Sequence, residues 1–99
     1  MIFKTLFKGS AKKSVPEEQL PVQHSFVDVT VMGRPSRSVS VEQAGPKYIV
    51  VGDAIGRPGD RGAFVYQTAS GRFRFGATIL KVEQGMTYFE MPKRVESVG

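Results

Sequence analysis

Apolar and polar residues alternate with a period of two along most of the chain after residue 20, which only extended strands can use to sort one face from the other. From Ser25 to Met32, Val27, Val29 and Val31 share a face, with Asp28 and Thr30 opposite. From Arg37 to Glu42, Val39 and Val41 point inward, with Ser38 and Ser40 outward. Lys47 to Val51 holds the continuous run Tyr-Ile-Val-Val, the pattern of a strand buried on both faces. Ala63 to Thr68 places Phe64 and Tyr66 on one side. Gly71 to Val82 sets Arg72 and Arg74 against Phe73 and Phe75, and Met86 to Met91 closes the series before Pro92.

Glycine and proline punctuate these runs. Gly33-Arg34-Pro35-Ser36, Ala44-Gly45-Pro46, Ala69-Ser70-Gly71 and Glu83-Gln84-Gly85 read as turns, and Gly52 to Gly62 is the longest loop. Gly76 falls inside an alternating run, where glycine predicts a bulge or sharp bend; beyond it Thr78, Leu80 and Val82 are expected to share a face. About six short strands without a convincing later helix predict an all-β fold: a small six-stranded antiparallel split or Greek-key barrel over residues 21–99.

The first 20 residues differ. Ile2, Phe3, Leu6 and Phe7 fall at spacings of three and four with lysines between them, the pattern of a short amphipathic helix or tail. Phe3, Leu6 and Phe7 are its docking residues, against the barrel, a partner or a membrane surface. Ser14-Val15-Pro16-Glu17 has capping-box spacing and predicts one turn through Gln19.

Charge changes the picture when divided. The net charge is +5, and Lys4, Lys8, Lys12 and Lys13 supply +4 of it within residues 1–15, where no acid occurs. Residues 16–99 carry ten bases and all nine acids, so the barrel itself is nearly neutral. A barrel that holds nucleic acid usually carries its basic excess on the barrel.

Catalytic inventory is thin. The chain has one histidine, His24, and no cysteine, which excludes disulfides, Cys–His dyads and the common zinc ligand sets. A reducing cytoplasm fits this composition. No apolar run reaches the roughly 20 residues of a membrane span, and the N-terminus lacks the pattern of a secretory leader. Asp53 and Asp60 share a glycine-rich loop and read as turn formers; that loop lacks the Gly-Lys-Ser/Thr ending of a phosphate cradle and leads into no helix. The reading is therefore a non-enzymatic domain without a metal.

Arginine is the better lead. Seven of the ten bases in residues 16–99 are arginine, and six come in pairs along the sequence: Arg34 with Arg37, Arg57 with Arg61, Arg72 with Arg74. The planar guanidinium suits bidentate contact with carboxylate or phosphate. These six are the candidate ligand or partner contacts.

Several stretches carry a resemblance. Ser38 to Val51, the Pro-Gly-Asp-Arg-Gly step of residues 58–62, Gly71 to Val82 and the closing Tyr-Phe-Glu-Met-Pro of residues 88–92 resemble the PilZ-associated barrels, nearest to the N-terminal domain of bacterial flagellar brake proteins. The resemblance covers about residues 22–94. It implies a split or Greek-key barrel working in cyclic di-GMP control of motility or surface behaviour. PilZ domains bind that dinucleotide through an Arg-x-x-x-Arg stretch ahead of the barrel and an Asp/Asn-x-Ser-x-x-Gly stretch within it. Here Arg57 to Arg61 has the first spacing but sits mid-chain, Arg34 to Arg37 is one residue short, and the second stretch is missing. The expectation is an accessory barrel that acts by protein contact in a signalling or motility assembly, with cyclic di-GMP as a ligand only if the site is degenerate. A small barrel binding RNA or single-stranded DNA is the rival, opposed by the placement of Phe73 and Phe75 on the face away from Arg72 and Arg74.

Overall fold

The computed structural model describes residues 15–98. In it the alternating runs become strands that roll their apolar faces around one interior. β1 (Phe26–Val31), β2 (Arg37–Ala44), β3 (Tyr48–Val51), β4 (Arg61–Thr68), β5 (Gly71–Glu83) and β6 (Met86–Glu90) pair antiparallel in the spatial order β1-β2-β3-β6-β5-β4. β4 pairs back onto β1, with Asp28 opposite Val65 and Val31 opposite Gly62, so the six strands close into a barrel. The order β4-β1-β2-β3 is a Greek key: after β3 the loop through Asp60 crosses the barrel end and delivers β4 beside β1.

The valines of β1 and β2 face inward as their alternation predicts, joined by Ile49, Val51, Ala77 and Ile79. Phe64 stacks on Phe75 with ring centroids 4.5 Å apart and meets Phe89 edge-on at 4.8 Å. Those three rings are the centre of the core, and truncating one such side chain to alanine typically costs about 3–5 kcal/mol. Ile55, from the crossing loop, plugs the barrel end. Thr87 anchors that loop from a fully buried position: its hydroxyl donates to the Asp53 carbonyl at 2.6 Å and accepts the Ile55 N–H at 3.1 Å. In β3, Ile49, Val50 and Val51 are all buried, the two-faced burial predicted for that run.

Several expectations change. A seventh strand, β7 (Glu96–Ser97), pairs with Phe73 and Arg74 on the edge of β5 opposite β4. Gly76 makes no bulge, because the β4–β5 ladder runs unbroken with Ala63 opposite Gly76. The irregularity lies between Ile79 and Lys81 in the β5–β6 ladder. There Leu80 turns outward and is 45% exposed, while Val82 packs against the core, so Val82 does not share a face with Thr78 and Leu80. A second irregularity interrupts β2 between Val41 and Gln43. Gly62, read from sequence as the end of the loop, is an interior position of β4 against the Phe89 ring.

A 3-10 turn forms at Glu17–Gln19 with Pro16 at its N-cap; Ser14, the first residue of the predicted capping box, lies outside the described residues. The segment after it is tied to the barrel: Leu20 is buried, and Tyr66 donates its hydroxyl to the Gln19 carbonyl at 2.6 Å. Burial pushes the Tyr66 phenol above its ordinary pKa, which keeps that donor protonated. Phe3, Leu6 and Phe7 lie outside the described residues.

Candidate partner-binding groove

The β4–β5 ladder decides which cations meet. Arg61 opens β4 opposite Thr78, and Arg74 lies opposite Val65, both on the outer face because Phe64, Phe73 and Phe75 take the inner one. Between them the pair Ala63 and Gly76 leaves a low floor. The Arg61 guanidinium lies across that floor, donating to the Thr78 hydroxyl at 3.2 Å. A Cβ on Gly76 would stand 2.7 Å from the Arg61 Nη2 atom. Glycine at residue 76 therefore makes a seat for a cation.

The chain after β6 builds the far wall. Met91 to Val95 departs from the sheet, with Pro92 buried and Met91 and Val95 packed on the core, before β7 returns to β5. Together they enclose a groove of about 640 Å³, whose walls include Arg61, Arg74, Lys93 and Arg94 with Glu90 and Glu96. Four bases against two acids leave the groove cationic. Arg74 Nε donates to Glu96 Oε1 at 3.0 Å, across side chains that are both more than half exposed, an arrangement that usually contributes little to stability.

The structure keeps one of the three sequence pairs of arginines beside a common cleft and separates the other two. Arg61 joins Arg74 in the groove, and Arg57 stays in the crossing loop, where its N–H and carbonyl form a turn with Asp60. Arg72, outward like Arg74, borders a smaller cleft of about 250 Å³ with Phe26, Asp28, Val65, Tyr66 and Gln67. Arg34 and Arg37 flank a cleft of about 320 Å³ at the barrel end, beside Val29, Val31, Pro35 and Ile55. Arg37 is paired there with Asp53. Asp53 also accepts the Ala54 N–H, and Asp60 accepts the Arg57 N–H, so both acids serve turns.

Lys93 and Arg94 were not among the predicted contacts. Their only sequence signal was two adjacent bases after Pro92, and nothing local says that the chain folds them back toward β5. Among the described residues, no group of three or more His, Asp or Glu side chains could hold a metal ion, and no helix is long and apolar enough to cross a membrane.

Comparisons with protein-family models, curated proteins and solved structures were made for the whole chain. None matches.

Proposed function

We propose that this chain is a non-enzymatic accessory barrel of the PilZ-associated type, acting by protein contact in cyclic di-GMP-linked control of motility or surface behaviour. The observation that carries the reading is the groove on the outer face of β4 and β5. Its wall places guanidiniums from two strands and two further bases from the segment after β6 around a low, small-residue floor. Arginine around such a floor suits carboxylates on an extended partner segment, and exposed charges of this kind steer association and set specificity.

The rival readings fit less well. Phe73 and Phe75 are each 6% exposed and belong to the core, so neither ring can stack on a base. Among the described phenylalanines Phe26 faces solvent, 69% exposed, but Asp28 shares its cleft with Arg72 and would repel a phosphate backbone. Of Arg57 and Arg61, the one pair with dinucleotide-motif spacing, only Arg61 lines the groove.

Calorimetric titration separates the readings. The purified chain should give no heat with cyclic di-GMP and only weak, salt-sensitive binding to a single-stranded oligonucleotide, lost when residues 1–15 are removed. Micromolar dinucleotide binding overturns the accessory reading. Steep salt-dependent oligonucleotide binding that survives removal of the tail favours nucleic acid instead.

A further inference from the structure

A six-stranded barrel that closes has no free edge, yet this one keeps a short one. β5 is 13 residues long, and its second half pairs with β6 from Ile79 onward. On the same side, among the described residues, the first half is covered only by β7, two exposed residues that pair with Phe73 and Arg74. The Val98 N–H adds one bond to the Arg72 carbonyl. Between these pairings, Phe75 to Thr78 has no strand partner on that edge among the described residues, and the groove opens there.

The side chains on this edge have a pattern. Arg72, Arg74 and Gly76 alternate along the outer face, and the Arg61 guanidinium lies over Gly76, so three cations stand at three successive outward positions of the edge. The chain's own segment matches them once. Glu96 meets Arg74, Val98 sits opposite Arg72, and the segment leaves the edge before reaching Gly76. Val95 is packed on the core and Pro92 is buried, so residues from Glu96 onward can lift away while the groove wall stays anchored.

We infer that β7 is a replaceable occupant, and that the partner adds an extended acidic segment to this edge of β5, antiparallel, with carboxylates at three alternate positions facing Arg72, Arg74 and Arg61. Strand addition supplies main-chain bonds for affinity, while alternate side chains supply specificity. Glu96 already shows the central contact. The groove of about 640 Å³ beyond it, whose own acids are Glu90 and Glu96 against four bases, has room for a further carboxylate beside Arg61. The inference rests on the protein-contact reading and gives that partner its chemistry.

The test uses the full chain, isotope-labelled, and a synthetic peptide of alternating threonine and glutamate with three glutamates. The peptide should bind, shift the amide signals of residues 71–76, and move those of residues 96–98 to positions typical of free chain. A glutamine version should bind at least about tenfold more weakly, the loss expected when charge-assisted bonds to arginine become neutral ones. Arg72→Gln with Arg74→Gln should weaken binding similarly. Glu96→Gln, which removes the internal competitor and leaves all three cations in place, should strengthen it. Binding that leaves the signals of residues 96–98 in place overturns the inference, as does equal affinity for the glutamine peptide. So does concentration-dependent self-association that shifts the same amides without peptide, since the occupant is then a second copy. None of these outcomes bears on the broader reading of protein contact in motility control, which swimming speed in the native host tests separately.

Discussion

Gly62 and Gly76 lie in neighbouring strands, and the barrel assigns their missing side chains opposite surroundings. Gly62 faces the interior, where an added Cβ would stand 2.9 Å from Phe89 Cε2 and 3.4 Å from both Phe89 Cζ and Val29 Cγ1. Phe89 is fully buried against Phe64, so its ring cannot retreat. Overpacking of this kind costs about 1–3 kcal/mol, offset by up to about 1 kcal/mol because alanine restricts the unfolded chain. Gly62→Ala should therefore destabilise by roughly 1–2 kcal/mol, a fall in Tm of roughly 5–15 °C for a domain of this size. Gly76 faces outward, and its close neighbour is the free end of the Arg61 side chain, which can swing away. Gly76→Ala should leave stability unchanged or raise it by up to about 1 kcal/mol, while unseating Arg61 and weakening the acidic peptide. Thermal and urea unfolding of the two variants beside the parent chain decide the matter. If Gly76→Ala is the more destabilising, the inner and outer faces of β4 and β5 are wrongly assigned and the groove argument falls with them.

Other consequences follow from single contacts. Thr87→Val keeps the buried shape but removes both the donor to Asp53 and the acceptor for Ile55; urea unfolding should show a loss of about 1–3 kcal/mol, and faster amide exchange in residues 53–56 should accompany it. Gln84 has φ 53° and Gly85 φ 78°, the left-handed pair of a two-residue hairpin turn that favours Asn-Gly, so Gln84→Asn should raise stability by about 0.5–1 kcal/mol in the same assay. The Tyr66 phenol ionises less readily in the folded barrel than in the unfolded chain. Its stabilising contribution is therefore complete below the ordinary tyrosine value of 10.0 and is lost as pH rises above it, so Tyr66→Phe should flatten the decline of stability at alkaline pH. An identical alkaline decline in Tyr66→Phe would refute that assignment.

The barrel was legible because each strand buries one face, and a period of two then sorts Val27, Val29, Phe64 and Phe73 from their polar neighbours without any knowledge of pairing. What could not be read depends on contacts between distant segments. Gly76 looked like a bulge because glycine in a strand usually marks one; its reason is an arginine fifteen positions earlier, placed there by the β4–β5 register. The irregularity beside Leu80 carries no glycine to announce it. β7 has only two residues, too few to show alternation, and it is a strand because β5 offers an edge. Arg72 and Arg74 were rightly expected outside on β5, and Arg34 does share a cleft with Arg37, but sequence adjacency could not group the rest. Arg61 belongs with Arg74, Lys93 and Arg94 through tertiary structure alone.

The central claim is that the cationic outer face of β4 and β5 acts by protein contact in the control of motility. The most direct measurement is swimming speed in the native host at low and raised cyclic di-GMP, comparing deletion of the gene with the triple charge reversal Arg61→Glu, Arg72→Glu and Arg74→Glu in a variant whose unfolding midpoint matches the parent. The account predicts that deletion alters the response to cyclic di-GMP and that the charge reversal reproduces the deletion. A deletion without effect on the response, or a charge-reversed chain that restores it fully, would contradict the account.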